Sequence, residues 1–388
     1  MIRKIIIFLS LLITANTFAQ KGIFKKGMIK PLKYNEELIF KIKDDHIFVN
    51  VEINGKTYRF LLDTGAPTVF GNNVIGNFKN LEEIETGDAG GNSQTVKYVM
   101  VEEMKLGNIT YHNFAAGYGD LGGFEYLGID GILGSNLIVK SVWDFDLANK
   151  KITISDHLDK NIIKGFQKTK TKILNTGTPT FTITYFGKME EKNIYFDTGY
   201  NGLFYLCYPI FQKISNSMNI ENIAEGNGFI SKNAFGDSEG KTYLLPLEMT
   251  IGKENIPVFI SDVDYDEESN LGAKWLAYYR TIVEKNNFYF KENGRQMKKE
   301  FVTNGINIDE QDGNLLVVFV WQNSSAYKMG IKVGDKILSV NGKNVDTNDS
   351  IGLKKIYDEI NNKEKVNLEI NTKNNFVELK KEILLRVK

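Results

Sequence analysis

The chain contains the stretch Phe60-Leu61-Leu62-Asp63-Thr64-Gly65-Ala66, an apolar run that ends in an acid, a hydroxyl and a glycine. The same pattern returns 134 residues later as Ile194-Tyr195-Phe196-Asp197-Thr198-Gly199-Tyr200. One Asp-Thr-Gly tripeptide is a weak signal because short motifs also arise by chance. Two copies, each of which closes an apolar strand, indicate a duplicated structural unit.

A second shared motif follows each copy, in which apolar residues precede a glycine. The first unit has Gly128-Ile129-Asp130-Gly131-Ile132-Leu133-Gly134, and the second has Ser269-Asn270-Leu271-Gly272. Each motif leads into a further strand pattern, over 142–154 and 279–290. The order of apolar strand, Asp-Thr-Gly turn, β-rich middle and apolar-Gly motif is therefore present twice.

In this order of motifs, residues 36–295 resemble the bacterial aspartyl protease family and the aspartic proteases more widely. Both the two-lobed pepsin type and the retroviral type, with its Asp-Thr-Gly-Ala motif, are similar. The resemblance implies a mostly β, two-lobed fold with lobes at 36–157 and 158–295. It also implies that Asp63 and Asp197 are the catalytic pair, supported by the four residues Thr64, Gly65, Thr198 and Gly199.

Two carboxylates about 3 Å apart can activate a water molecule and protonate a leaving nitrogen while they share one proton, a behaviour known from the aspartic proteases themselves. We expect each acid to lie at a strand end that the following glycine holds in place, with Gly65 needed to bring backbone N–H groups to the carboxylate. The alternative is that both acids only cap turns. No cofactor and no metal is expected.

Glycine clusters mark two candidate hairpins. The first cluster, 86–93, lies where the resembled family has a flap, and its flap candidates are Gly87, Gly90 and Gly91; an ordinary surface hairpin is the alternative. Tyr98 is the nearest residue to a flap aromatic. A second cluster, 225–237, has the matching place in the second unit and predicts a second flap.

The pattern changes beyond Asn293. Residues 323–342 predict a short helix that ends at Gly330, a turn, a strand and an Asn-Gly turn, and residues 300–388 resemble a bacterial PDZ domain of the α+β class. Leu353 and Ile356 lie on a helical apolar stripe. In the resembled fold this stripe forms one wall of a peptide groove, and the loop and strand with Gly305, Ile306 and Ile308 form the other.

Residues 1–19 have the pattern of a secretory signal peptide, with Arg3 and Lys4 before an apolar run and Thr17-Phe18-Ala19 at its end. An uncleaved anchor is the alternative. Residues 20–35 are predicted to be a mobile leader or an edge segment. The sequence therefore predicts an exported protein, periplasmic or secreted. Its one cysteine, Cys207, is expected to be a small buried residue rather than a nucleophile.

Other patterns argue against several classes of function. The 48 basic and 48 acidic residues balance, so no nucleic-acid partner is expected. The acidic run 262–268 lacks the glycine and distal glutamate of a calcium loop, and a solvated loop is the favoured interpretation. We therefore expect an exported aspartic endopeptidase that takes peptide or protein substrates and binds peptide C-termini through its PDZ domain. The alternative is a non-catalytic peptide-binding protein.

Overall fold

The computed structural model describes residues 22–387 apart from 89–90, 218–219, 221 and 373–375. The signal-peptide pattern and Gly90 lie outside the described residues. Four α-helices are present in the described part of the chain: α1 (Ser135–Ile138), α2 (Tyr208–Ser217), α3 (Ser325–Lys328) and α4 (Ser350–Asn362). Short 3-10 turns lie at Ile23–Lys25, Gly122–Leu127, Leu147–Asn149 and Ala273–Ala277.

The first lobe is built from twelve of the described strands: β1 (Met28–Lys30), β2 (Asn35–Glu37), β3 (Phe40–Lys43), β4 (His46–Ile53), β5 (Lys56–Asp63), β6 (Val69–Gly71), β7 (Lys79–Gly87), β8 (Ser93–Leu106), β9 (Ile109–Gly119), β10 (Gly131–Gly134), β11 (Val142–Asp146) and β12 (Lys151–Ser155).

The second lobe follows with β13 (Gln167–Lys170), β14 (Lys172–Ile173), β15 (Pro179–Tyr185), β16 (Met189–Asp197), β17 (Phe204–Cys207), β18 (Ala224–Lys232), β19 (Asp237–Ile251), β20 (Glu254–Asp264), β21 (Asn270–Gly272), β22 (Tyr279–Glu284) and β23 (Asn287–Glu292). The C-terminal domain contains β24 (Glu300–Thr303), β25 (Ile306–Gln311), β26 (Asn314–Trp321), β27 (Ile337–Val340), β28 (Lys343–Asn344), β29 (Lys365–Ile370), β30 (Val377–Lys380) and β31 (Glu382–Arg386). The predicted fold class, two β lobes and a C-terminal α+β domain, is confirmed.

Each lobe places an Asp-Thr-Gly turn at the end of a central strand. In the first lobe β4 and β5 form a hairpin around Asn54-Gly55, whose positive φ angles of 52° and 73° suit a tight two-residue turn. β5 then runs parallel to β10, and β16 runs parallel to β21 in the second lobe. The duplicated motif order therefore produces the same strand arrangement twice.

A six-stranded sheet joins the two lobes. Its order is β13-β23-β22-β11-β12-β2, so three strands of the second lobe lie beside three strands of the first, and β22 pairs with β11 at the boundary. Arg280 on β22 forms a two-pronged ion pair with Asp144 on β11, with N–O distances of 3.0 and 2.6 Å. One apolar cluster extends through both lobes, and Phe145 contacts Phe196 across the boundary. Burial of this shared core holds the two Asp-Thr-Gly turns at a fixed separation.

The segment before the first lobe has structure of its own. β1 pairs antiparallel with β9 at the edge of the first-lobe sheet, and Ile23 and Phe24 are buried beneath it. For residues 22–35 the structure therefore agrees with the prediction of an edge segment and not with that of a mobile leader. Among the described residues, none of the helices has the length and apolarity needed to span a bilayer.

The C-terminal domain is joined to the second lobe through a sheet. β26 pairs with β18, so that β25 becomes the last strand of a ten-stranded sheet that begins in the second lobe. Apolar packing supports this junction, because Phe319 and Trp321 of β26 are buried with Leu244 of β19. The C-terminal domain also has its own core between β25, α4 and β29. It is therefore a folded unit whose third strand, β26, also pairs with a strand of the second lobe.

Candidate active site

The two Asp-Thr-Gly turns face each other at the centre of the molecule. Asp63 is the last residue of β5 and lies opposite Gly134 in the register, and Asp197 is the last residue of β16 and lies opposite Gly272. Each carboxyl group lies against the glycine of the opposite turn, which places Asp63 and Asp197 side by side. The structure thus brings together the pair that the duplicated motif predicted.

Each glycine of the pair is required by the opposite carboxylate. A Cβ atom on Gly65 would lie 2.4 Å from Cγ of Asp197, and one on Gly199 would lie 2.5 Å from Oδ2 of Asp63. Gly65 also donates its N–H to Asp63 Oδ1 at 2.8 Å, as expected from the sequence. A side chain at either glycine would push the acids apart, which adds a second physical reason for glycine.

The two threonines hold the turns together by reciprocal hydrogen bonds. Thr64 Oγ1 donates to the Phe196 carbonyl at 2.5 Å and accepts from the Thr198 N–H at 2.9 Å. Thr198 Oγ1 donates to the Leu62 carbonyl at 2.7 Å and accepts from the Thr64 N–H at 3.1 Å. All of these groups are buried, so breaking one bond leaves a polar group without a partner. The network therefore fixes the geometry of the two acids.

Hydrogen-bond donors reach the two carboxylates unequally. Asp63 Oδ1 accepts the N–H groups of Gly65 and Ala66, at 2.8 and 3.0 Å, while Asp63 Oδ2 receives no N–H donor among the described residues. Asp197 Oδ1 accepts the Gly199 N–H at 2.8 Å, and Asp197 Oδ2 accepts Nδ2 of Asn270 at 2.9 Å. Both oxygens of Asp197 are thus supplied with donors, but only one oxygen of Asp63 is.

Burial dominates the ionisation of this pair. Asp63 and Asp197 are 0% and 1% exposed. Burial and then the neighbouring Asp197 charge raise the pKa of Asp63 well above its usual range. Burial also raises the pKa of Asp197, against the opposing effect of the Asn270 amide. The pair therefore keeps a shared proton to higher pH than an isolated carboxyl group would.

The residues that follow the two glycines add no hydroxyl to the acids. Ala66 has none, and the buried Tyr200 directs its hydroxyl to Asp262 Oδ2, 3.3 Å away. Burial raises the pKa of Asp262 to about 7. Asp264 and Asp266 are only 5% and 6% exposed, so the solvated-loop interpretation of the acidic run 262–268 was wrong. These acids lie on or just after β20 and pack against the second lobe.

The first glycine cluster forms the turn between β7 and β8, which we call the lobe-1 hairpin. Gly87 ends β7, and Gly91 has a φ angle of 77° in the turn. Tyr98 lies at the base of this hairpin, where it is buried against Phe24 at a ring-centroid distance of 5.2 Å. Tyr98 therefore packs in a separate apolar cluster that does not contain the Asp-Thr-Gly turns.

The second glycine cluster belongs to the hairpin of β18 and β19, the lobe-2 hairpin. Ile230 on this hairpin packs against Tyr200, and Ala234 belongs to the apolar cluster that includes Ala66. Its tip meets the lobe-1 hairpin, since the Phe235 N–H donates to Asp88 Oδ2 at 2.8 Å. The two hairpin tips are thus joined and the acids beneath have no solvent exposure. The structure describes a closed site.

The glycines of the lobe-2 hairpin serve the contact with the C-terminal domain. A Cβ atom on Gly226 would lie 2.2 Å from the Phe319 ring, and one on Gly228 would lie 2.1 Å from the Val318 carbonyl oxygen. These residues allow β26 to approach β18 closely. The glycine pattern that predicted a second flap therefore has a second cause, the docking of a neighbouring strand.

Comparisons with known proteins agree with this geometry. Residues 49–137 match the family model described as aspartyl protease, and residues 320–371 match the model of a PDZ domain. The chain combines an aspartyl protease-like region with a PDZ domain. A comparison with curated proteins gave no match.

Two solved structures were also found to be similar. The aspartic proteinase from Irpex lacteus is 14% identical, with 67% of this chain and 98% of that chain covered and a TM-score of 0.39. Basic 7S globulin from soybean is 11% identical, with 67% and 95% covered and a TM-score of 0.41. At these TM-scores neither similarity supports an argument about function.

The PDZ domain has a strand and a helix where its groove was predicted. β25 is an edge strand next to α4, and Tyr357 of α4 donates its hydroxyl to Asp309 of β25 at 3.2 Å. The predicted groove residues differ in exposure, since Leu353 is half-buried whereas three others belong to the PDZ core, namely Ile306, Ile308 and Ile356. Gly305 has a φ angle of 93°. Their role in peptide binding stays a prediction.

The loop before β25 already satisfies two of its N–H groups. Gly305 donates to Thr303 Oγ1 at 3.0 Å, and Ile306 donates to Asn304 Oδ1 at 3.2 Å. Asn304 in turn donates to the Ile360 carbonyl at 2.7 Å, which ties the loop to α4. A ligand carboxylate at this loop would have to replace Thr303 and Asn304 as acceptors.

Three further polar residues complete the description. His46 lies beside Gly199, and burial lowers its pKa to about 4, so it is neutral at pH 7. Cys207 is buried, and burial raises its pKa to about 12, which is the opposite of what a nucleophile needs.

Asn270 was not identified from the sequence as a partner of Asp197, although it stands where the first unit has Ile132. Across the part of the chain that the structure describes, no cluster of acidic, histidine or cysteine side chains is suited to hold a metal ion.

Proposed function

We propose that this chain is an exported aspartic endopeptidase that hydrolyses peptide bonds with the Asp63 and Asp197 pair. The observation that carries the proposal is the reciprocal packing of the two turns. Each carboxylate lies against the glycine of the other turn, and the threonine network holds both in place. A pair of turn-capping acids without catalysis would have no need to bury two like-charged groups together.

The proposed reaction uses one proton on the acid pair. The ionised carboxylate takes a proton from water, whose oxygen bonds to the peptide carbonyl carbon, and the other carboxyl group gives its proton to the carbonyl oxygen. The acid that took the proton from water then protonates the nitrogen, and the C–N bond breaks. The diol returns a proton to the acid that had protonated the carbonyl oxygen. Both acids regain their starting states, so no cofactor is consumed.

Substrate entry requires the hairpins to move. The acids have no solvent access in the closed site, and the contact between Asp88 and Phe235 lies between the two hairpin tips. This contact is one charged hydrogen bond on top of a small apolar cluster. We propose that the tips separate to admit an extended peptide and then close over it, which would keep bulk water away from the reaction.

The proposal has two further parts, export of the chain and binding of peptide C-termini. The signal-type pattern of residues 1–19 supports export to the periplasm or the medium. The edge strand β25 and the loop before it support binding of peptide C-termini by the PDZ domain. N-terminal sequencing of the protein recovered from an expressing bacterium should find a chain that begins near Gln20. A mature chain that begins at Met1 in the cytoplasm would contradict export.

Peptide-library cleavage tests the catalytic proposal. The purified full chain should cleave members of a mixed peptide library, and Asp63→Asn or Asp197→Asn should abolish the cleavage. Asp159→Asn is the matched control, because Asp159 is an exposed acid far from the pair in sequence and should keep full activity. Cleavage that persists in both pair variants would contradict catalysis by Asp63 and Asp197.

The closed site favours one other candidate function, a non-catalytic peptide-binding protein. In that case the hairpin tips never open, and only the PDZ domain meets peptides. The Asp63→Asn full chain separates the candidates when peptides are offered with a free or an amidated C-terminus. Binding of free-carboxylate peptides by this variant, with no cleavage by the wild-type chain at any pH, would support the binding protein. Equal affinity for both kinds of peptide would remove the C-terminus role.

A further inference from the structure

The two lobes are equivalent in backbone at the active site but differ in one buried side chain. In the register of the parallel strand pairs, Gly134 is opposite Asp63 and Gly272 is opposite Asp197. Two residues before each glycine, the first lobe has Ile132 and the second has Asn270. Ile132 is 1% exposed and packs in an apolar cluster, whereas Asn270, also 1% exposed, donates to Asp197.

Asn270 breaks the symmetry of the acid pair. Through it, Asp197 accepts donors on both of its oxygens, while Asp63 accepts two donors on Oδ1 and, from the residues that the structure describes, none on Oδ2. Donors stabilise a carboxylate anion, and a carboxyl oxygen that lacks a donor is the better place for a proton. Among the described residues the Oδ1 atom of Asn270 has no hydrogen-bond partner although it is buried, so burying this amide costs free energy that its bond to Asp197 must offset.

We propose that Asn270 is a positioning residue that makes Asp197 the ionised member of the pair and leaves the shared proton on Asp63 Oδ2. This inference rests on the proposed function and deepens it, because it assigns the two acids different roles. Asp197 takes the proton from the attacking water, and Asp63 gives its proton to the carbonyl oxygen of the substrate. Asp197 then protonates the leaving nitrogen, and the diol returns a proton to Asp63.

The first test uses infrared titration of the full chain, which needs no activity. At a pH where the pair holds one proton, the difference spectrum against the wild-type chain cancels the bands of other protonated acids such as Asp262. It should show the loss of one protonated-carboxyl band in Asp63→Asn and no such loss in Asp197→Asn. In the double variant Asp63→Asn/Asn270→Ile the band should return, because Asp197 has then lost its amide donor. A band that vanishes in Asp197→Asn and persists in Asp63→Asn would overturn the proposal.

The second test is the pH dependence of kcat/KM. Asn270→Ile, which copies the residue of the first lobe, should move the acidic limb upward by about one to two pH units, as expected for loss of one hydrogen bond to a charged group. Asn270→Ser retains a hydroxyl donor and should move it less. If the limb stays in place or moves downward, the amide does not stabilise the Asp197 anion.

The two tests separate this inference from the proposed function. A chain that cleaves no peptide would fail the proposed function, and the infrared titration would still decide where the proton lies. Circular dichroism and thermal unfolding identify a variant that does not fold, and Asn270→Ser, with its smaller polar side chain, then replaces Asn270→Ile in both experiments. Asn270→Ser should still show the infrared band return when combined with Asp63→Asn, though to a smaller extent.

Discussion

The two Asp-Thr-Gly turns share their backbone and differ in what surrounds it. Both have a threonine whose hydroxyl donates to the opposite lobe, and both have a glycine that lies against the opposite carboxylate. The donors to Asp63 are the Gly65 and Ala66 N–H groups of its own turn, whereas Asp197 also accepts from Asn270, and Tyr200 of the second turn donates to Asp262. The two lobes therefore match in the threonines and glycines that set the geometry of the turns. They differ in the residues that supply hydrogen-bond donors to the acids.

The largest effect is expected from the acids themselves. Asp63→Asn, Asp197→Asn and the double variant should each lose activity by roughly a thousandfold or more, and by nearly equal factors, because the acids act on one proton and one water as a unit. The measurement is kcat/KM on one good peptide. Substantial activity in either single variant would mean that the two turns are not partners in catalysis.

The next largest effect should come from loss of a threonine hydroxyl, which lowers the free energy of unfolding. Thr64→Val leaves the Phe196 carbonyl and the Thr198 N–H without partners, and Thr198→Val does the same to the mirrored groups. Each variant should lower the free energy of unfolding by about 2–4 kcal/mol, since two buried groups lose their partner. Urea unfolding gives the values.

The symmetry of the network makes a sharper statement about these variants. Thr64→Val and Thr198→Val should be equally destabilising, and the double variant should cost less than their sum because all four bonds belong to one network. Clearly unequal single effects would show that one lobe depends on the contact more than the other.

A smaller effect is expected at the hairpin tips. Asp88→Ala removes the acceptor of the Phe235 N–H and should favour the open site. We expect kcat/KM to rise by up to about tenfold, because the closed site loses the free energy of one hydrogen bond to a charged group. Asp88→Asn keeps an acceptor oxygen and serves as the matched control. Faster hydrogen exchange at residues 233–236 in the alanine variant alone would attribute the change to opening. Unchanged exchange and activity in both would mean that this bond does not hold the site closed.

The smallest effect concerns the pH profile. Burial raises the pKa of Asp63, so the pair keeps its shared proton as pH rises, and activity should peak between mildly acidic and neutral pH. Ala66→Ser adds a hydroxyl donor that stabilises the anion and should move the acidic limb downward by about half a unit to one unit. Tyr200→Phe should move it less, because the Tyr200 hydroxyl bonds Asp262. An optimum near pH 2–3, with no activity at neutral pH, would contradict the argument.

The sequence predicted the turns well because their chemistry is local. An apolar strand that ends in Asp-Thr-Gly places its acid by strand pairing, and two copies imply two equivalent sites. The PDZ domain was predicted for the same reason, since Gly330 ends a helix and Asn341-Gly342 forms a turn. Each of these signals depends on residues that are close together along the chain.

What the sequence could not give depends on contacts between distant segments. The acidic run 262–268 has the composition of a solvated loop, but β20 buries Asp264 and Asp266 within the second lobe. Gly226 and Gly228 belong to the glycine cluster that predicted a second flap. Only the docking of β26 against β18 explains why these two positions have no side chain. Asn270 was visible as an exception to the apolar pair before a glycine. Its effect on Asp197 follows only from the parallel pairing of β16 and β21.

The shared sheet between β18 and β26 has a consequence for biogenesis. During synthesis or export the second lobe emerges before the PDZ domain, so β18 exists for a time as an uncovered strand edge beside the apolar side chains of Leu244 and Ile260. Such edges recruit other chains, and the glycines of β18 carry no side chains that would repel them. A chain truncated before Glu300 should therefore aggregate rather than remain a free protease, and the C-terminal domain acts for its own chain as the cover that a chaperone would otherwise have to supply.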